Sequence, residues 1–216
     1  MSTTTPERAE GPRSDPPRPA RRGTWKLYLL LAVCIAPVAA SYLMYYVFPP
    51  SGRTNYGELI EPQRPVPAIE TRPVHPSEAR APGRDGEGLA AFRGHWILVA
   101  IHSGECDEAC AEKLYFMRQT HASLGKDRDR VARVLLVTDG KPLPGKVQGA
   151  HPDLTVLAAR PDDLAPLFPV PSDSRLTDHI FVIDPLQNLM MRFPRDPDPS
   201  RTRKDLQRLL RASRIG

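Results

Sequence analysis

The sequence predicts an α/β fold, a mixed sheet flanked by helices and preceded by one transmembrane helix. Three observations predict it. Residues 25–48, WKLYLLLAVCIAPVAASYLMYYVF, carry no charge over the twenty-two positions after Lys26. HWILVAI (95–101) and VARVLLVTD (131–139) are apolar runs of strand length that enclose a segment of helical spacing. Such runs, without alternation, suit strands covered on both faces, and strand, helix, strand in that order implies a parallel pair with a right-handed crossover. Finally, HIFVID, the turn PLQN and LMMRF read as an antiparallel hairpin, with a helix after it.

From the N-terminus, residues 1–24 are rich in Pro, Arg, Ser and Thr and nearly free of large apolar side chains. They cannot offset the entropy of ordering, and we read them as a disordered cytoplasmic tail. Residues 25–48 are long enough to cross a hydrocarbon core of about 30 Å. Arg8, Arg13, Arg18, Arg21, Arg22 and Lys26 precede the span, whereas only Arg53 and Arg64 follow within the next twenty residues. That asymmetry puts the N-terminus in the cytoplasm, with Trp25 and Tyr28 at one interface and Tyr42, Tyr45 and Tyr46 near the other. Val38-Ala39-Ala40 offers the small residues of a signal-peptide cleavage site, but the apolar run continues eight residues past Ala40, which favours a retained span.

Residues 49–86 carry eight prolines and read as an extended linker holding the domain of residues 87–216 off the membrane. His75, between prolines, reads as an exposed bystander. Within the domain, Cys110, Leu114, Met117, His121 and Leu124 recur at helical spacing between the two apolar runs. LTVLA (154–158) is a further strand, and PDDLAPLF a short helix entered at a proline. In the last helix Leu206, Leu209 and Leu210 form the apolar stripe, Arg203, Lys204, Arg208 and Arg211 the solvated side, and Ser200 or Thr202 the cap.

The net charge of +5 lies partly in the tail, where topology accounts for it, and no aromatic-studded basic face appears, so nucleic acid is not an expected partner. Cys34 sits mid-span as a small apolar residue. Cys106 and Cys110, in GECDEAC, are then the exported cysteines, and in an oxidising compartment they are a disulfide, a redox pair or metal ligands. With a helix starting near Cys106, that thiol lies in the first turn, where the dipole favours the reactive thiolate. Cys110 projects from the same face one turn on, at a Cα separation of about 6 Å that admits a disulfide or a soft-metal chelate such as copper. Asp107 and Glu108 oppose ionisation of the sulfurs. A purely stabilising bridge is the weaker reading, because closing three intervening residues removes little chain entropy.

With its anchor, GECDEAC at a strand end, the helix after it and DHIFVIDP near the end, the chain resembles the Sco/SenC family. These are membrane-tethered, thioredoxin-like domains that help deliver copper to the dinuclear centre of cytochrome c oxidase. The likeness covers roughly residues 85–216. It implies a thioredoxin-like domain in which Cys106 and Cys110 bind copper and exchange with disulfides, and His179, from Asp178-His179, supplies nitrogen to a two-sulfur, one-nitrogen copper site. It also implies the copper-bearing subunit of the oxidase as partner, and a single-pass inner-membrane protein with a periplasmic domain. The alternatives are a thiol-disulfide oxidoreductase, with Cys106 attacking and Cys110 resolving, and a docking module without chemistry.

The chain departs from the family pattern in three ways. No proline follows either cysteine, Gln187 stands where glycine is usual with Asn188 beside it to take the left-handed conformation, and His179 is only five residues before Asp184. A strand shortened by an odd number turns the imidazole to the opposite face. Of the other candidates, His102 reads as a strand-end histidine satisfied locally, His121 lies about 16 Å along the helix from Cys110, and Met190 and Met191 read as packing. No GxGxxG, P-loop, HExxH, GxSxG or haem-attachment motif is present.

Overall fold

The computed structural model describes residues 24–46, 55–66, 69–74 and 88–213, in two compact units, 1–53 and 54–216. The first contains α1 (Thr24–Tyr46), 23 residues with Pro37 inside and no buried side chain. At 1.5 Å per residue it reaches about 34 Å, enough for a hydrocarbon core. The expected tail lies, but for Thr24, outside the described residues, as does His75.

The second unit is built on one seven-stranded mixed sheet, in the order β1-β7-β6-β3-β4-β5-β2. Its strands are β1 (Glu58–Pro65), β2 (Arg72–Pro73), β3 (Trp96–His102), β4 (Val131–Val137), β5 (Leu154–Ala158), β6 (Ile180–Ile183) and β7 (Asn188–Phe193). The central strands β3, β4 and β5 are parallel, while β6 and β7 run antiparallel as a hairpin. The helices are α2 (Glu108–Ala122), α3 (Gly145–Ala150), α4 (Pro161–Leu164) and α5 (Pro199–Ala212). This is the thioredoxin-like mixed sheet that the sequence predicts.

Because the central strands are buried throughout, alternate residues feed two cores. Leu98, Ala100, Leu135, Val137, Ile180 and Val182 face α2 and α5, with Cys106, Cys110, Leu114 and Leu206. Ile97, Val99, Ile101, Val134, Phe181 and Ile183 face the other layer, where Phe92, Leu164 and Phe168 close the core. The absence of alternation in HWILVAI and VARVLLV has this cause.

The linker reading does not hold for residues 58–65 and 72–73. The former pair with β7 as an edge strand, and the latter with β5 at the opposite edge. Proline is tolerated at an edge, where its missing N–H faces no partner. Ile60 and Val66 enter the second core, and the Asp205 carboxylate accepts the N–H groups of Tyr56 (2.6 Å) and Gly57 (2.9 Å). Glu58 and Arg192, opposite one another in register, form an ion pair.

Two caps and one turn also differ from expectation. Asp198, not Ser200 or Thr202, caps α5, accepting the Arg201 N–H at 2.8 Å with Pro199 at the first helical position. In the β6–β7 turn Gln187 itself takes the left-handed conformation (φ 70°) and Asn188 opens β7. The Asp184 carboxylate imposes this by accepting the N–H groups of Leu186 (2.9 Å) and Asn188 (2.7 Å).

Candidate redox site at the strand-to-helix turn

Chain direction positions this site. β3 ends at His102, Ser103 to Cys106 turn the chain, and α2 begins at Glu108. Cys106 therefore stands outside the helix, with φ 43°, and Asp107 is the N-cap. The expectation of Cys106 in the first helical turn is corrected accordingly. Asp caps strongly because its carboxylate accepts an orphan N–H of the first turn, and here that donor is Cys110 N–H at 3.0 Å. The second cysteine, not the first, occupies the electropositive turn.

The two sulfurs are joined as a disulfide, with a Cα separation of 5.0 Å. Cys106 is 8 % exposed and Cys110 1 %, both packed against the core on the α2 side. Of the two, Cys106 is the nearer to solvent.

A second loop, which the sequence did not bring into the site, holds that turn. The Asp139 carboxylate accepts the Ser103 hydroxyl (2.7 Å), the Gly104 N–H (2.9 Å) and the Lys141 N–H (3.1 Å). Burial pushes the Asp139 carboxyl up, but the hydrogen bonds from Ser103, Gly104 and Lys141 outweigh it and hold the group below the usual carboxylate range. Lys141 Nζ meets Glu105 Oε1 at 2.5 Å across the same junction. The approach is so close that a Cβ on Gly104 would stand 2.1 Å from the Lys141 carbonyl oxygen. The Asp139-Gly140 dipeptide was the available sequence signal, a turn marker one residue, Thr138, past the end of β4.

Beside the turn, a cavity of about 1280 Å³ is lined by His102, Asp107, Lys113, Asp178 and Arg195 among others. His102 Nε2 lies 3.6 Å from Asp107 Oδ1. Burial lowers its pKa, with Asp107 opposing. Burial also lowers the pKa of Lys113, and the Asp178 carboxylate opposes that shift. Asp178 accepts the Arg175 N–H (3.0 Å) and Arg195 Nη2 (2.6 Å). Burial raises its pKa, yet these bonds and charges outweigh it and bring the group down to about 2.

His179 is not part of this site. It is extended at the start of β6, so alternation places its ring with Phe181 (centroids 6.2 Å apart), whereas Ile180 faces the cysteine side. Both ring nitrogens are engaged, Nδ1 with the Phe193 carbonyl at 2.8 Å and Nε2 with Ser174 Oγ at 2.9 Å. The expected two-sulfur, one-nitrogen copper set is thus not assembled: Cys106 and Cys110 meet, and His179 lies on the other face. Among the described residues no three of His, Cys, Asp and Glu cluster as metal ligands. His121 bonds the carbonyls of Arg128 and Val131, Met191 is core, and Met190 packs against it half-buried.

A family model described as transmembrane-like, thioredoxin-like, C-terminal domain matches residues 96–213, more than half of the chain, and one described as transmembrane-like, N-terminal domain matches residues 17–47. Among solved structures, the chain is similar to apo Sco1 from Thermus thermophilus, with 17% identity over 75% of this chain and 98% of that one, TM-score 0.49. It is similar to Bradyrhizobium japonicum ScoI with copper bound, at 19% identity over 55% and 87%, TM-score 0.42. It is also similar to yeast Sco1 with copper bound, at 12% identity over 56% and 79%, TM-score 0.46. The copper belongs to those proteins. No curated protein matches the sequence. The chain, with one N-terminal helix among the described residues long and apolar enough to cross a membrane, belongs to the family of transmembrane-like proteins with a thioredoxin-like C-terminal domain.

Proposed function

We propose that this protein is a membrane-anchored, Sco-like factor that acts through reversible oxidation of Cys106 and Cys110 during assembly of respiratory cytochrome c oxidase. The supporting observation is the disulfide across the β3–α2 turn, held by a cap and a second loop. On this reading the span lies in the inner membrane with its N-terminus in the cytoplasm, and the domain works in the periplasm on the copper-bearing subunit of the oxidase. In the reduced protein the Cys106 thiolate attacks a disulfide of the client and forms a mixed disulfide. Cys110 then attacks the Cys106 sulfur and releases the client's second thiol. Two electrons and two protons pass from the pair to the client.

Copper is the second reading, as cargo rather than resident cofactor. Once reduced, two sulfurs at this separation can chelate a soft ion. Because His179 is engaged elsewhere, the geometry favours the thiol reaction. The test is the reduction potential of the full chain in detergent, equilibrated with thiol buffers and read by alkylation mass. We expect a value between about −270 and −120 mV, whereas one below about −300 mV marks an inert structural bridge and sinks the proposal. Titration of the reduced chain with Cu(I) against a chelator decides the cargo, and full oxidase assembly with C106S/C110S leaves only a docking role.

A further inference from the structure

The cavity beside the cysteine turn follows one face of α2. Ala109, Glu112, Lys113 and Phe116 line it with the i, i+3, i+4, i+7 spacing of a single helical stripe, which Thr120 and Ser123 continue. From Ala109 to Ser123 the helix rises about 21 Å, the length of about six residues of extended chain. His102, Ser103 and Asp107 line the end of this groove at the disulfide turn, and the β7–α5 connection supplies a further wall with Arg195, Pro197 and Pro199. Phe116 and Ile180 contribute apolar surface, and the Tyr115 ring, 58 % exposed, stands beside them.

The charges lining the groove are unequally satisfied. Asp107 accepts the Cys110 N–H, Asp198 accepts the Arg201 N–H, and Asp178 is held by Arg175 and Arg195. Glu112, Asp196 and Arg203 are exposed to water. Lys113 differs from all of these. It is partly buried and, among the described residues, makes no hydrogen bond or ion pair, Asp178 acting on it only at longer range. An ammonium that has lost water without gaining a contact partner is in an unfavourable state, which an incoming carboxylate corrects. Lys113 also stands six residues past Asp107, about 9 Å of helix rise, and an extended chain covers that distance in about three residues.

We infer that the groove holds an extended segment of the client polypeptide next to its reacting cysteine, and that Lys113 selects an Asp or Glu about three residues from that cysteine. The client cysteine rests on the thiol-exchange reading proposed above, whereas the groove and its lone ammonium do not.

The experiment measures binding of short dye-labelled peptides to the full chain, disulfide intact, in an uncharged detergent by fluorescence anisotropy. Each peptide carries serine in place of the client cysteine and Glu, Gln or Lys at that spacing, so no sulfur chemistry enters the readout. The Glu peptide is expected to bind several-fold more tightly than the Gln peptide, and K113Q, with an unchanged or higher melting temperature, should abolish the difference. K113E should instead favour the Lys peptide. K204E, an equal change of charge in α5 outside the groove, should leave the preference for Glu intact. Equal affinity for the Glu and Gln peptides overturns the inference. So does a preference that survives in K113Q, or one that K204E removes as fully as K113E does. A preference that passes these tests in a protein whose reduction potential lies below about −300 mV sinks the thiol-exchange reading alone and leaves the groove as a peptide site.

Discussion

Replacing His179 by alanine separates a buried structural histidine from a metal ligand. The imidazole bridges the Phe193 carbonyl and the Ser174 hydroxyl, and the residue is 5 % exposed. Each such bond is worth about 1 kcal/mol net, and leaving a buried carbonyl without a donor costs about 1–3 kcal/mol. With the cavity left by the ring, H179A is expected to lose about 2–4 kcal/mol. For a domain of this size each kcal/mol is about 2–4 °C, so the melting temperature should fall by roughly 4–16 °C. S174A, which removes one half-exposed partner, should cost about 1 kcal/mol or less, and the double variant should cost less than the two summed. The assay is thermal unfolding of the full chain in detergent, beside a Cu(I) competition titration on reduced protein. An H179A protein that melts as wild type yet binds Cu(I) more weakly would falsify the placement of this ring on the face away from the sulfurs.

Four further outcomes follow from the same structure. D107A should cost about 1 kcal/mol through loss of the cap while D107N keeps it, and both should lower the thiol pKa of the reduced pair by removing a neighbouring carboxylate, read by alkylation rate against pH. Equal destabilisation by both variants would show that charge, not the hydrogen bond, holds the helix start. G104A should destabilise by about 1–3 kcal/mol, because its Cβ meets a backbone carbonyl that moves only with the Asp139 loop; an unchanged denaturant midpoint argues against that contact. Burial lowers the pKa of His102, His121, His151 and His179, so their contribution to stability is complete above the unfolded value of about 6.5 and falls with pH below it; a melting temperature flat from pH 7.5 to 5 would contradict their burial. Asp178, depressed to about 2, contributes above its unfolded pKa of about 3.9 and loses the contribution as pH falls toward 2. Since Arg175 and Arg195 are 82 % and 58 % exposed, D178N should cost only about 1–2 kcal/mol at pH 7, a cost that shrinks as pH falls through the folded pKa.

The parts of the fold legible in the sequence are those whose signal is local. β3 and β4 show as apolar runs without alternation because both their faces are covered, Arg133 being the one charged residue in β4, and the β6–β7 hairpin shows as two apolar-rich runs around a turn. β1 escaped notice because an edge strand need not look like one: Pro62 and Pro65 break its pattern, and only Ile60 within it is buried. The cysteine pair was legible because a spacing of four at a strand-to-helix turn brings two side chains together even with Cys106 outside the helix. Where the helix starts was not, since that depends on Asp107 outcompeting its neighbours as a cap. The face of His179 was legible only as a condition, through the two-residue period of a strand, and the structure supplies the register.

The supporting loop shows why a site can be invisible to motif reading while fully determined by topology. Asp139 lies 35 residues from Gly104, beyond any local pattern. Yet β3 and β4 are parallel and in register to their last residues, with His102 opposite Val137. Two parallel strands that stop level must release their chains side by side at the same end of the sheet, the end where open α/β sheets expose their working loops. The turn that carries Cys106 therefore has to emerge against Thr138–Lys141, and the Thr138 N–H donates to the His102 carbonyl at 3.0 Å where they part. Glycine at 104 is what admits so close an approach, and the Asp139 carboxylate then takes the Gly104 N–H from the turn together with the Lys141 N–H of its own loop. Rigidity at the first cysteine thus comes from the register of the central strands as much as from GECDEAC itself, and a substitution that shifts β4 should be felt at the disulfide even though it touches neither sulfur.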